Sequence, residues 1–200
     1  YTYLKIGEPV LAREQFRTAM ELDPADTHVA LEFGFLCYET GEPVLARRTF
    51  DRLRHTGNRT AQEAFENIDR PLREGLERWQ GAVQLAPENF SNHEELAKIA
   101  ERRDELALAA KHYETAWKLR PDLRQLLLDL GRVWKLQGRD SAAMAALLAA
   151  SRSPESRTAE RGRELLPSRY PYVYEFRDAI ALDPANVELR RELAYLLLAM

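Results

Sequence analysis

Only one of the 200 residues is a cysteine, Cys37. A disulfide within the chain is therefore excluded, and so is a four-thiolate zinc site. A single reduced thiol suits the cytosol without excluding the periplasm. Long apolar runs are also missing. The longest, Ala142–Ala150 and Leu193–Met200, fall well short of the roughly 18 residues that a membrane-crossing helix needs. No charged segment followed by an apolar stretch opens the chain, so no signal peptide is visible. Charge of neither sign predominates: 29 Lys and Arg face 32 Asp and Glu, a net charge of −3. A chain so balanced has no global basic field to draw nucleic acid or an anionic membrane. Neither nucleic-acid binding nor membrane insertion is expected.

Catalytic patterns are equally scarce. There is no G-x-G-x-x-G, no phosphate-binding loop and no G-x-S-x-G. "HEEL" at His93–Leu96 starts like a zinc-protease helix, but Ala97 stands where the second histidine would be. His28, His55 and His112 have no ligand partner one helical turn away, so all four histidines read as surface or packing residues. Asn58-Arg59-Thr60 and Asn89-Phe90-Ser91 have the form of glycosylation acceptors and read as accidental. Arginine-dense stretches such as "RPLRE" carry interleaved acids, the mark of a solvated, salt-bridged helix face. No enzyme, cofactor or metal follows from any of this.

What the chain does have is repetition. "GEPVLAR" is spelled at Gly7–Arg13 and again at Gly41–Arg47, 34 positions on. Around the copies runs a ladder of small and large residues at matching offsets. Tyr3, Gly7, Ala12, Phe16, Ala19 and Pro24 correspond to Cys37, Gly41, Ala46 and Phe50. Leu96-Ala97, Ala109, Tyr113, Ala116 and Pro121 continue it. Leu130-Gly131, Trp134, Gly138, Ala143, Leu147 and Ala150 repeat it after a further 34 residues. Two helices approach closely only where side chains are small, which predicts Gly34 against Ala46 and Gly131 against Ala143. Gly7, Gly41 and Gly138 are predicted to end one helix in a left-handed cap, and Pro9 and Pro43 to open the next. "LDPA" and "LAPEN" stop each second helix. The repeated heptapeptide is thus a stop, a turn and a start. Cys37, in an aromatic position of the ladder, is predicted to be a buried and inert thiol.

This ladder resembles the tetratricopeptide repeat, a 34-residue helix–turn–helix unit. The resemblance implies an all-α fold, a right-handed α-solenoid of antiparallel helix pairs running through residues 1–200. Its expected units are 1–25 (partial), 26–57, 58–89, 90–123, 124–154, 155–186 and the first helix of a truncated unit at 187–200. Beginning at Tyr1 and ending inside an apolar run, the chain is expected to be a piece of a longer protein, with a lean toward the bacterial cytoplasm. The third and sixth units are expected to be irregular. They fit only with a shorter inter-helix turn, Arg70-Pro71 or Pro167-Ser168 replaces the turn glycine, and Tyr172 occupies a position expected to be Ala, which should push its helices apart. Ser151–Arg161, polar and rich in breakers, is the segment expected to be flexible.

In the family resembled, the first helix of each pair lines a concave groove for a partner peptide. Carried over position by position, that face holds His28, Leu31, Phe35 and Tyr38 in the second unit. In the fourth it holds Ser91, Glu94, Lys98 and Glu101, and in the fifth Gln125, Leu128, Arg132 and Lys135. The carboxylate clamp of chaperone-binding members lacks its asparagine here, so a chaperone tail is not implied. The function expected is a non-catalytic interaction scaffold for a protein or peptide. The alternative is a regulatory or substrate-docking module of an enzyme whose catalytic domain lies elsewhere, and a homodimer through exposed array ends is also open.

Overall fold

The structure is a computed structural model and describes residues 7–200; Tyr3, the first rung of the ladder, lies outside the described residues. Those residues form eleven helices and no strand. They are α1 Pro9–Leu22, α2 Thr27–Glu39, α3 Pro43–Arg54, α4 Arg59–Leu85, α5 Phe90–Arg102 and α6 Leu106–Leu119. They continue as α7 Gln125–Leu136, α8 Asp140–Ser151, α9 Ser156–Leu165, α10 Val173–Leu182 and α11 Val187–Leu198. Sequential neighbours pack as pairs, α2 on α3, α5's partner α6 on α7, and α7 on α8.

The chain divides into two compact bodies. The first comprises the chain up to Glu77 together with Arg102–Asp104, and the second Arg78–Glu101 with Glu105–Met200. In the first body, Ala30, Phe33, Cys37, Ala46, Phe50, Leu53, Ala61 and Phe65 form one buried cluster. Local chemistry sets its helix ends. The Asp26 carboxylate accepts from the backbone N–H of His28 and Val29 at 2.9 and 3.0 Å and starts α2. Gly41, at φ +82°, stops it, and Pro43 opens α3 where its missing N–H costs nothing. The Asn58 side chain caps α4 through the Ala61 N–H at 2.9 Å. One turn departs from the glycine rule. Asp104 takes the corresponding left-handed conformation, φ 67°, and its carboxylate is paired with Arg48.

Burial of Cys37 is complete, and it pushes the thiol's pKa up to about 11, as an inert side chain requires. The close-contact register needs a correction. A Cβ on Gly34 would sit 2.6 Å from the Phe50 ring, and one on Gly131 2.8 Å from Leu147. The glycines therefore make room first for the large residue of the facing helix; Ala143 also borders the Gly131 joint, its carbonyl 3.4 Å from that Cβ position, while Ala46 is buried beside the Gly34 joint.

The third unit is a second correction. The turn expected at Arg70-Pro71 is absent, and α4 runs 27 residues straight through Pro71. With no glycine there, nothing favours a left-handed stop. The hydrogen bond that proline deletes would have ended on Asn67, and both residues are exposed, so the missing bond lies on the solvent side of the helix, where it costs least. Two residues before the proline, buried Asp69 holds the helix in place. Its carboxylate accepts from Arg47 Nε at 2.7 Å, Arg103 Nε at 3.2 Å and Arg73 Nη1 at 3.2 Å.

In the sixth unit the connection is longer rather than shorter, spanning 166–172 between α9 and α10. Tyr172 caps α10 from outside, exposed and stacked on Tyr174, and so does not separate the helices. The start of the Ser151–Arg161 stretch carries side-chain bonds that its composition did not announce. The Ser151 hydroxyl donates to the Leu148 carbonyl at 2.7 Å, and Arg152 grips Glu192 with two bonds of 2.8 and 2.6 Å.

Gly162 packs against Ser151 so tightly that an added Cβ would lie 2.6 Å from its backbone nitrogen. Backbone cannot swing aside, so Gly162→Ala is expected to destabilise the second body by roughly 1–3 kcal/mol. Gly81, mid-helix with open space around it, gives the opposite sign: Gly81→Ala is expected to add roughly 0.5–1 kcal/mol. Urea denaturation of the two variants checks both, and equal midpoints would disprove the packing at Gly162.

Candidate functional site

Four of the positions carried over from the family lie on α2 in the first body. Leu31 is half-buried and packs against the core cluster. His28 is exposed at the helix start. Phe35 and Tyr38 stay outside, 39% and 57% exposed, although their neighbours Phe33, Gly34, Leu36 and Cys37 are all buried. Phe35 leans on Phe50, centroids 5.0 Å apart at 60°. Together with Ala64, Asn67 and Ile68 of α4 they line a pocket of about 220 Å³. Its lining comes from α2, α3 and α4, so residues up to 33 positions apart in sequence meet there.

The other eight positions, Ser91 and Gln125 among them, lie in the second body. Lys98 bridges Glu94 at 2.8 Å and Glu95 at 2.9 Å. Burial alone would lower the Lys98 pKa, but these two hydrogen bonds outweigh it and raise it. Glu101 pairs with Arg132, which also reaches Asp129 at 2.9 Å, and accepts from the Tyr113 hydroxyl at 3.2 Å. Glu94, Lys98, Glu101 and Arg132 thus satisfy one another. Leu128 is 4% exposed and is corrected from a groove anchor to a core residue. The next pair's α9 lies on that side of α7, where the Thr158 hydroxyl donates to Gln125 at 3.3 Å. Lys135 is exposed and has no ion pair among the described residues. It borders a different cavity, between α8 and α10.

Two features escaped the sequence reading. His93 and His112, on α5 and α6, are both buried and meet Nδ1 to Nδ1 at 2.8 Å, while His93 Nε2 lies 2.9 Å from the Pro87 carbonyl. The carbonyl can only accept, so His93 carries its proton on Nε2 and accepts from His112 at Nδ1. Their placement beside Ala97 and Tyr113 of the ladder was the available signal. The second is the cavity of about 310 Å³ between α8 and α10, for which periodicity gave no signal, because the 166–172 connection that shapes it is aperiodic. Among the described residues, no group of three or more His, Cys, Asp or Glu is arranged to hold a metal ion. No helix among them is long and apolar enough to cross a membrane.

No family model matches the chain, and no curated protein does. Several solved structures match over most of its length. YrrB, described as a TPR protein with an unusual peptide-binding site, is 15% identical, with a TM-score of 0.43, covering 82% of this chain and 88% of its own. MamA residues 41 to the end from Desulfovibrio magneticus RS-1 is 15% identical, with a TM-score of 0.39 and coverage of 83% and 92%. A further MamA structure is 15% identical, with a TM-score of 0.38 and coverage of 82% and 94%.

Proposed function

We propose that this chain is a non-catalytic protein-interaction module that takes a peptide segment of a protein partner at the Phe35–Tyr38 face of α2. The observation that carries the reading is the pocket lined by Phe35, Tyr38, Ala64 and Ile68. Two aromatic side chains, Phe35 and Tyr38, keep exposed surface in the second half of a helix whose other face supplies the core. Exposed apolar patches of this kind mark interaction surfaces. A pocket of about 220 Å³ suits one aromatic or branched aliphatic side chain of the partner. The walls are fixed by the buried cluster beneath, so little ordering is required of the receptor on binding.

Peptides selected from a random displayed library on the whole chain are expected to share one large apolar residue. Phe35→Ala is expected to weaken a selected peptide about 30-fold, the effect of losing an aromatic anchor worth about 2 kcal/mol, with melting temperature unchanged. Calorimetric titration reads the affinity. Selected peptides that bind Phe35→Ala and Tyr38→Ala as tightly as the unaltered chain would show that this face is not the site.

A further inference from the structure

The geometry points to a second docking site, in the cavity between α8 and α10, that accepts an arginine or lysine side chain from a partner protein. It lies wholly in the second body and stands whether or not the Phe35 pocket binds anything. The cavity, about 310 Å³, has an apolar floor made of Met144, Leu147, Leu165 and Pro167. That floor fits the aliphatic stem of a long side chain, which buries its methylenes on apolar surface and keeps its charge at the rim.

The rim selects the sign of that charge. Arg169 borders the cavity, but Glu175 already holds it bidentately at 2.9 and 2.6 Å. Its guanidinium also lies over the Tyr172 ring, 4.1 Å from the centroid. What remains is Lys135 against Asp140 and Asp178. Both aspartates are exposed, and neither has an ion pair among the described residues. The cavity wall therefore carries one uncompensated negative charge. Tyr174 adds an exposed ring at the mouth, a face that attracts a guanidinium. An acidic or purely aliphatic side chain would leave these carboxylates unanswered. A cation on a flexible apolar stem meets floor, rim and ring together.

The test uses the whole chain and four capped pentapeptides, Ser-Gly-X-Gly-Ser, with X arginine, its uncharged isostere citrulline, norleucine or glutamate. Amide chemical shifts of Ser141, Leu147, Tyr174 and Asp178 are followed up to 10 mM peptide, roughly the range of a single-side-chain contact. The arginine peptide is expected to move these signals saturably and to bind about tenfold more tightly than citrulline or norleucine. The double substitution Asp140→Asn, Asp178→Asn is expected to remove that preference, while Phe35→Ala leaves it unchanged. Equal binding of norleucine and arginine would overturn the proposal in favour of an apolar pocket. Preference for glutamate would show that Lys135 governs the site, and no movement of these amides by any peptide would show that the cavity binds no such side chain.

Discussion

Asp69→Ala is expected to cost the first body about 3–5 kcal/mol, the loss typical of removing one partner from a buried charge cluster. The carboxylate is almost fully buried and sits among Arg47, Arg73 and Arg103, with the Arg47 guanidinium also donating to the Arg103 carbonyl at 2.9 Å. Burial alone would raise its pKa, but hydrogen bonds from Arg103 and Arg47 outweigh that and hold it below the usual carboxylate value. Deleting it leaves guanidiniums facing one another, with Glu66 3.5 Å from Arg73 still pairing one of them. It also removes what steadies α4 next to Pro71. Hydrogen exchange read by mass spectrometry is expected to show faster exchange across α2–α4. Adding Arg47→Ala is expected to return part of the loss, because one of the stranded charges goes with it. A cost below about 1 kcal/mol would show that the cluster behaves as a surface ion pair.

That cluster also shows where the sequence stopped being informative. Helix ends were legible because they depend on single residues: Gly41 and Gly138 adopt positive φ where the ladder placed their turns, and Pro9 and Pro43 open helices. Cys37 was legible because its offset in the ladder is that of a core residue. The small residues announced that two backbones come close, yet spacing alone does not say which atom fills the gap, and it was Phe50 rather than Ala46 that faced Gly34. At Arg70-Pro71 the ladder suggested a turn, whereas the uninterrupted α4 is held at Asp69 by arginines up to 34 residues away. Ser151–Arg161 looked loose for the same reason. Its Arg152 is matched by Glu192, 40 residues away, which no local pattern reveals.

The candidate site divides in the same way. Phe35 and Tyr38 were readable as surplus to the core, since one helix face cannot serve both. Leu128 obeyed the same periodicity and is nevertheless buried, because the next helix pair covers its side of α7. Periodicity names a face, while the neighbour decides whether that face stays open. The cavity between α8 and α10 depends on an aperiodic connection and on one ion pair, Arg169 with Glu175, that takes a cation out of play.

The second body is expected to lose roughly 3 kcal/mol of stability between pH 7 and pH 4 through His112 alone. Burial, reinforced by His93 and Lys111, lowers the His112 pKa from its ordinary 6.5 to about 4. The unfolded chain therefore takes up a proton near pH 6.5 that the folded body refuses until about pH 4. Stability is full above pH 6.5, falls as pH drops through that window and levels off for this group below it. The His93–His112 bond gives the effect its structural sense. With His93 donating from Nε2 to Pro87, the pair tolerates one shared proton between the two Nδ1 atoms, and an added charge has no carboxylate bonded to it there. His112→Gln removes the titration, so its urea midpoint is expected to fall less than that of the unaltered chain between pH 7 and pH 4.5, even if it starts lower. Parallel pH dependence in the two proteins would mean that His112 titrates alike in the folded and unfolded chains and that its burial does not hold it neutral.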